Sequence, residues 1–223
     1  MSKIIFELVF VMSFYDVVGI SEKEWNKSIR FPTSGRKVSF YVLCGLPGTG
    51  KSTLAEKIKN SYCEDDAIIL SRDVIRTNVL WEIRKEPKEI QQKTIHKLDK
   101  IVTEKMIDKI NCTVRKQKYW GIIIDGCHTN WKTLSYIMFC LESFENSIIN
   151  LFIVGTDESR CAYRVTDKKE GDYSDYKNDF SHDAIPACVV ERKRKEMRKL
   201  LHDYLVHIYN YTDYIVLIPS YKH

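Results

Sequence analysis

The stretch GLPGTGKST, residues 45–53, carries residue types at a spacing that can hold a triphosphate. It fits G-x-x-x-x-G-K-[ST] without a mismatch. The glycines let the backbone turn so that successive N–H groups point at an anion, and the helix that follows adds the positive end of its dipole. We expect the lysine to reach the β- and γ-phosphates of ATP or GTP and the serine hydroxyl to ligate Mg²⁺. The predicted nucleotide contacts here are Gly45, Pro47, Gly48, Thr49, Gly50, Lys51, Ser52 and Thr53.

A carboxylate that could complete a magnesium site ends the apolar run GIIIDG at Asp125. A buried strand ending in Asp is typical of the second element of such nucleotide sites, so Asp125 and Ser52 are the predicted metal ligands. The alternative is that Asp125 caps the next helix, although Thr129 and Asn130 are also capping candidates. His128 lies close enough in sequence to contact the site, but a lone histidine here is more often structural.

The segment SRDVIR, residues 71–76, places Asp73 between two arginines just beyond the apolar run AIIL. In a parallel sheet the active crevice lies beyond the carboxyl ends of the strands, which puts Asp73 near the phosphate loop. A neighbouring guanidinium favours the ionised carboxylate, as a base requires. Asp73 is therefore the predicted base, and Arg76 and Arg72 are predicted acceptor ligands. The alternative is a helix cap at Ser71 or Asp73 with solvated arginines.

Two arginines one helical turn apart, Arg160 and Arg164, follow the fourth apolar run. Phosphoryl transfer depends on positioning and charge neutralisation, so we expect Arg164 to clamp the transferring phosphate and Arg160 to contact the nucleotide. The polar stretch 168–186 reads as a lid. Two solvated helix arginines are the alternative.

Five apolar runs of strand length alternate with helical patterns along the chain. Such alternation predicts an α/β fold, a doubly wound parallel sheet built by right-handed crossovers. The predicted strands span 38–44, 67–70, 119–125, 148–155 and 214–219, and the predicted helices span 51–61, 88–110, 130–143, 157–169 and 187–208.

The length, net charge and cysteine content of the chain limit its function less sharply than the motifs do. In 223 residues with a net charge of +5, an anionic partner is permitted but not required. Seven cysteines without a CxxC pair indicate a reducing compartment, cytoplasm or nucleus. Glu7 and Asp16 interrupt the apolar N-terminus, so we expect neither export nor a membrane span. We divide the chain into an extension at 1–36 and one domain at 37–223; its oligomeric state stays open.

The motifs together resemble the 5′-hydroxyl polynucleotide kinase family of P-loop phosphotransferases. That family's R-D-x-x-R segment stands here as RDVIR, and the resemblance implies that Asp73 is the general base and Arg76 the acceptor-phosphate ligand. It also implies that Asp125 is the second carboxylate, although DGCHTN is longer than the usual DTN, and that the Arg pair at 160 and 164 lies on the lid helix. The resemblance covers residues 38–200 and implies a five-stranded sheet of order 2-3-1-4-5. Zeta-toxin-like and seryl-tRNA kinases carry related D-x-x-R segments.

The stretch ERKRKEMRK, residues 191–199, places six basic residues against two acidic ones on a predicted helix. Arg194 and Arg198 are expected on one face, and Arg192, Lys195 and Lys199 on another; either face could contact a phosphate backbone or simply be solvated. The lid residues Tyr173, Tyr176 and Phe180 could stack on a base or pack the lid shut.

We therefore expect an NTP-dependent kinase that transfers the γ-phosphate to the 5′-hydroxyl of RNA or DNA, as in nucleic-acid repair, with Mg²⁺ and ATP or GTP. Two other functions remain open at this point. The first is a kinase of a small-molecule or aminoacyl-tRNA acceptor, and the second is a nucleotide-binding switch that phosphorylates nothing.

Overall fold

A computed structural model describes residues 37–63, 66–155, 187–204, 212 and 214–218. Three predicted parts of the chain lie outside the described residues: the extension at 1–36, the helix at 157–169 and the lid at 168–186. The described elements are β1 (Val38–Gly45), α1 (Lys51–Asn60), β2 (Ala67–Ser71), α2 (Arg72–Arg84), α3 (Lys88–Ile95), α4 (Leu98–Arg115), β3 (Gly121–Asp125), α5 (Trp131–Glu142), β4 (Ser147–Val154), α6 (Ala187–Lys199) and β5 (Tyr214–Ile218), with a π-helical turn at Leu200–Tyr204.

The strands form a parallel sheet in the order β2-β3-β1-β4-β5, which is the order that the family resemblance implies. Helices pack on both faces of the central strand β1, which explains its continuous apolar sequence. Phe40, Val42 and Cys44 belong to the larger core cluster, whereas Tyr41 and Leu43 point to the opposite face. The larger cluster lies under α2, α4, α5 and α6, and the smaller one lies under α1.

The parallel register brings the carboxyl ends of the central strands to one edge of the sheet. Ser71, the last residue of β2, pairs with Asp125, the last residue of β3, and Gly45 at the end of β1 pairs with Val154 of β4. The phosphate loop, the start of α2 and the loop after β3 therefore meet at the same edge. This is the edge at which open α/β sheets bind ligands.

Two helices differ from the sequence prediction. α2, at Arg72–Arg84, is not among the predicted helices; it follows β2 without a loop, and its first turn is capped by the Ser71 hydroxyl, which accepts from the Val74 N–H at 3.5 Å. The helix predicted at 88–110 is two helices, α3 and α4, separated by a turn at 96–97. Their environments differ because α3 buries none of its residues, whereas α4 buries Val102, Met106 and Ile110 at a spacing of four. Only the second helix carries the apolar stripe that packs on the sheet.

The N-terminus of α5 is capped by a residue other than Asp125. Asn130 caps α5, since its side-chain oxygen accepts from the N–H groups of Lys132 at 3.0 Å and Thr133 at 3.4 Å. Asp125 is therefore not the cap of that helix, and its carboxylate is available for another role.

Among the described residues no helix is both long and apolar enough to cross a membrane.

Candidate active site

The phosphate loop adopts backbone angles that require its glycines. Gly48 and Gly50 have φ angles of 80° and 90°, in the left-handed region that glycine occupies without strain. Gly45 is needed for space, because a Cβ there would lie 2.6 Å from the carbonyl oxygen of Val154. The Gly45 N–H also donates to the Cys127 carbonyl at 3.0 Å, which ties the loop to the segment after β3.

Lys51 begins α1 and is buried, with only 7% of its surface exposed. Its Nζ donates to the Leu46 carbonyl at 2.6 Å and to Thr49 Oγ1 at 3.3 Å, both within the loop. No acidic residue lies in the first turn of α1. The ammonium is thus held over the concave side of the loop, where a phosphate would need a cation.

Ser52 and Asp125 meet across the gap between α1 and β3. The Ser52 hydroxyl donates to Asp125 Oδ2 at 2.9 Å. Burial raises the pKa of the Asp125 carboxyl above its ordinary value, against the opposing effects of the Ser52 hydrogen bond and the charge of Lys51. A hydroxyl and a carboxylate oxygen at this separation are the hard oxygen donors that Mg²⁺ prefers, so the pair fits that ion.

Asp73 lies in the first turn of α2, two residues beyond the point where β2 pairs with Asp125. Its side chain is 57% exposed, and its Oδ1 accepts from the Arg76 guanidinium at 3.3 Å. The negative charge of Asp73 also acts to raise the pKa of the Asp125 carboxyl. The structure therefore brings Asp73, Arg76, Asp125, Ser52 and the phosphate loop to one edge.

Asp99, in the first turn of α4, is a charged member of this group that the sequence analysis missed. Its Oδ1 lies 3.3 Å from Nη2 of Arg76 and 3.6 Å from Nη2 of Arg72. Partial burial alone would raise the pKa of this carboxyl, but the two guanidiniums outweigh burial and the pKa lies below its ordinary value. No motif marks Asp99; the contact exists because α2 packs along α4.

Arg72 does not lie where an acceptor ligand would. Its side chain is only 7% exposed and points between α2 and α4, where Nη1 donates to Thr103 Oγ1 at 3.0 Å and Nη2 to the Asp99 carbonyl at 3.3 Å. Burial lowers the pKa of its guanidinium, and the charge of Arg76 adds to that effect. The prediction that Arg72 binds the acceptor is not supported by this position, because the first residue of α2 faces the core rather than solvent.

The loop after β3 contains a buried histidine with an unusual backbone. His128 has a φ of 43° and is 3% exposed, and neither ring nitrogen has a hydrogen-bond partner among the described residues. Burial lowers its pKa to about 3, and the charges of Arg72, Lys51 and Lys193 act in the same direction. A Cβ on Gly126 would lie 2.7 Å from His128 Nε2 and 3.0 Å from the Cβ of Arg72. Gly126 is thus held between the imidazole and the start of α2.

Side chains of helix α6 and of the loop after β3 form a hydrogen-bonded cluster. The sequence analysis did not distinguish Lys193, which belongs to this cluster, from the other basic residues of the helix. Thr129 Oγ1 donates to Glu196 Oε2 at 2.8 Å, and Lys193 Nζ donates to the same oxygen at 2.7 Å. Lys193 and Glu196 are mostly buried, at 17% and 22% exposure of their side chains. Four of the basic residues predicted to contact a phosphate backbone are exposed on this helix: Arg192, Lys195, Arg198 and Lys199.

The remaining predicted site residues, Arg160 and Arg164, and the lid aromatics Tyr173, Tyr176 and Phe180 lie outside the described residues. Their roles stay predictions.

Comparison with known proteins gives a family but no close relative. No curated protein sequence matches this chain. Among solved structures, a chain of the Pnkp1/Rnl/Hen1 RNA repair complex is 17% identical over 81% of this chain and 49% of its own length, with a TM-score of 0.48. A second structure of the Pnkp1/Rnl/Hen1 complex gives 18% identity over 69% of this chain and 47% of its own, with a TM-score of 0.40. This chain therefore spans about half the length of those two chains.

A gluconokinase from Sinorhizobium meliloti 1021 is 11% identical over 87% of this chain and 86% of its own, with a TM-score of 0.47. At these identities and TM-scores the similarities leave the activity of this chain open. Residues 42–184, more than half of the chain, match the AAA domain family, and this range includes the phosphate loop, Asp73 and Asp125. The chain belongs to the AAA domain family.

Proposed function

We propose that the chain is an NTP-dependent kinase that transfers the γ-phosphate to the 5′-hydroxyl end of RNA or DNA. The observation that carries the proposal is the position of Asp73: an exposed carboxylate, beside a cation, at the same sheet edge as the phosphate loop and the Ser52–Asp125 pair. A nucleotide-binding switch has no need of an exposed carboxylate at that place, whereas a transferase needs a proton acceptor there.

In this proposal the nucleotide side of the reaction belongs to the loop and α1. The loop N–H groups and Lys51 hold the β- and γ-phosphates, and Ser52 and Asp125 hold Mg²⁺ directly or through water. When bound, the ion neutralises charge on the phosphate oxygens. Lys51 already lies buried within the loop, so little reorganisation is needed to place its charge.

The acceptor side belongs to α2 and α4. Asp73 takes the proton from the acceptor hydroxyl, whose oxygen attacks the γ-phosphorus while the bond to the β-phosphate oxygen breaks and the nucleoside diphosphate leaves. Arg76 holds a phosphate next to the acceptor hydroxyl, and Asp99 fixes the Arg76 guanidinium from the other side. Arg164 steadies the transferring group and Arg160 the nucleotide.

Asp73→Asn tests the proposal. The variant keeps the size of the side chain but removes the base, so phosphate transfer should fall by about 10²- to 10⁴-fold. Binding of Mg²⁺ and nucleotide should change by less than about threefold, because Asp73 lies outside the phosphate loop. Transfer is measured with labelled ATP and a panel of 5′-hydroxyl oligonucleotides, nucleosides, sugars and tRNA.

The matched control is Glu82→Gln, which neutralises an exposed acid on the same helix away from the site. If label appears only on small acceptors, or only on tRNA, the acceptor belongs to that class and the proposed polynucleotide acceptor is wrong. Hydrolysis as the sole activity, unchanged in Asp73→Asn, would reject the kinase and favour the switch.

A further inference from the structure

The outer face of α2 carries an exposed line of residues that begins beside Asp73. Val74 and Trp81 are 53% and 56% exposed, and they lie seven residues apart, which is about two helical turns. The buried face of the helix is formed by Ile75, Val79 and Ile83. Val74 and Trp81 therefore point away from the core, along one side of the helix. The same side carries two further exposed residues, Asn78 and Lys85.

The exposed line combines an aromatic ring with a neighbouring cation. Lys85 Nζ lies 5.4 Å from the centroid of the Trp81 ring. Beyond Asp73 the only acid in α2 is Glu82, and its carboxylate is engaged by Lys105 of α4. The outer line thus offers an aromatic ring with a cation over it; the acids next to the line are Glu82, which is paired with Lys105, and the exposed Glu86 that follows Lys85. A ring and a cation together are the elements that bind a base and its phosphate in a sequence-independent way.

The spacing along α2 fits a strand that starts at Asp73. Eight residues separate Asp73 from Trp81, and a rise of about 1.5 Å per residue gives about 12 Å between them along the axis. Stacked nucleotides repeat at about 3.4 Å along a strand, so 12 Å corresponds to roughly three or four nucleotides. The first contact beyond the 5′ end would be Val74, which adjoins Asp73.

We propose that this outer line, Val74–Asn78–Trp81–Lys85, is a track for the acceptor strand, on which Trp81 stacks against a base roughly three or four nucleotides from the 5′ end and Lys85 contacts its phosphate. The inference rests on the proposed function and narrows the acceptor to a single strand of at least that length. A protein partner fits the line less well, since two apolar side chains separated by Asn78 do not form a continuous apolar patch.

The test compares a long and a short acceptor. Wild type, Trp81→Ala, Trp81→Phe and Trp120→Ala are assayed with a single-stranded 5′-hydroxyl 10-mer and with a 5′-hydroxyl dinucleotide. Loss of one stacked base is worth about 1–3 kcal/mol, so Trp81→Ala should raise KM for the 10-mer by about 5- to 150-fold. Its kcat and its KM for the dinucleotide should stay unchanged. Trp81→Phe, which keeps a ring, should recover most of the affinity.

Trp120 is the control tryptophan, because it precedes β3 and lies at the opposite edge of the sheet. An unchanged KM for the 10-mer in Trp81→Ala would overturn the track. So would a change in oligomeric state on Trp81→Ala, measured by sedimentation, since a second copy would then cover this face.

The two proposals fail separately. Binding of a fluorescent single-stranded 10-mer is measured without nucleotide for the same variants. If wild type transfers no phosphate to any strand but binds the 10-mer more tightly than Trp81→Ala, the track stands and the kinase acceptor is wrong. If wild type phosphorylates strands while Trp81→Ala is identical to it in both assays, the kinase stands and the track is wrong.

Discussion

The His128 side chain combines three conditions that seldom occur together. It is buried, its backbone is in the left-handed region, and its ring nitrogens lack partners among the described residues. Burial and the charges of Arg72, Lys51 and Lys193 keep the imidazole neutral, with a pKa of about 3. The unfolded chain would hold this histidine near its ordinary pKa of about 6.5. Protonation therefore favours the unfolded state over the pH range between these two values.

His128→Asn should make the protein less sensitive to acid. The contribution of a neutral His128 is complete above about pH 6.5 and is lost as the pH falls toward 3, because only the unfolded state then takes up the proton. Between pH 7 and pH 4.5 wild type should lose about 2–3 kcal/mol of unfolding free energy more than the variant. Asn tolerates the left-handed backbone, so the fold is kept. Urea unfolding at both pH values measures the difference.

His96→Asn is the control, because His96 is exposed in the turn between α3 and α4. Parallel pH dependence in wild type and His128→Asn would show that His128 is not neutral and buried as described.

At the scale of elements, α2 presents a structural face and a reactive face from adjacent turns. Arg72 points inward and connects α2 to α4 through Thr103 and the Asp99 backbone. Arg76, one turn later, is 36% exposed in its side chain and lies between the carboxylates of Asp73 and Asp99. The two arginines of the RDVIR segment therefore have different tasks, which their spacing alone does not reveal.

Arg72→Met and Arg76→Met should separate these tasks. Removing Arg72 leaves buried polar groups of α4 without their partner and should lower the free energy of unfolding by about 2–3 kcal/mol. Removing Arg76 breaks partly exposed ion pairs and should cost less than about 1 kcal/mol, while KM for the acceptor rises at least tenfold. Denaturant titration and steady-state kinetics measure the two effects. Equal losses of stability would contradict the assignment.

The features that could be predicted from sequence are those fixed by local pattern. The apolar runs around Phe40 and Ile123 predict strands covered on both faces, and the G-x-x-x-x-G-K-S spacing predicts a phosphate loop before a helix. The inward position of Arg72 and the contact of Asp99 with Arg76 could not be predicted, because they depend on the packing of α2 on α4, helices whose first turns lie more than twenty residues apart. The break at residues 96–97 was also missed, since charged residues on both sides are compatible with one long helix.

At the scale of the whole molecule, the nucleotide site joins the two cores. The phosphate loop leaves β1, whose side chains enter both clusters, and α1 covers the smaller one. The hydrogen bond from Thr129 to Glu196 attaches α6 to the loop after β3, and Met197 Sδ lies 3.9 Å from Cys44 Sγ near the end of β1. A ligand bound at this edge is therefore expected to stabilise the whole domain rather than one loop.

Magnesium and ATP should raise the melting temperature of wild type. At a ligand concentration of about 100 times Kd, binding adds about 2.7 kcal/mol, or roughly 5–11 °C for a chain of this size. Lys51→Met should abolish most of this shift, because the buried ammonium is the cation nearest the phosphates. Lys59→Met, at an exposed position of the same helix, should keep it. Differential scanning calorimetry with and without ligand measures the shift, and an equal shift in both variants would exclude the loop as the site.

The contact of Gly126 with His128 and Arg72 has a consequence for the spacing of the two carboxylates. Asp125 ends β3 and Asp73 lies in the first turn of α2, and Gly126, which follows Asp125, lies against Arg72, the residue before Asp73. The absence of a side chain at Gly126 therefore allows the segment after β3 to approach the start of α2 closely. A methyl group at that position would push the His128 ring and the start of α2 away from the segment after β3, and so change the spacing of Asp125 and Asp73 without removing either carboxylate.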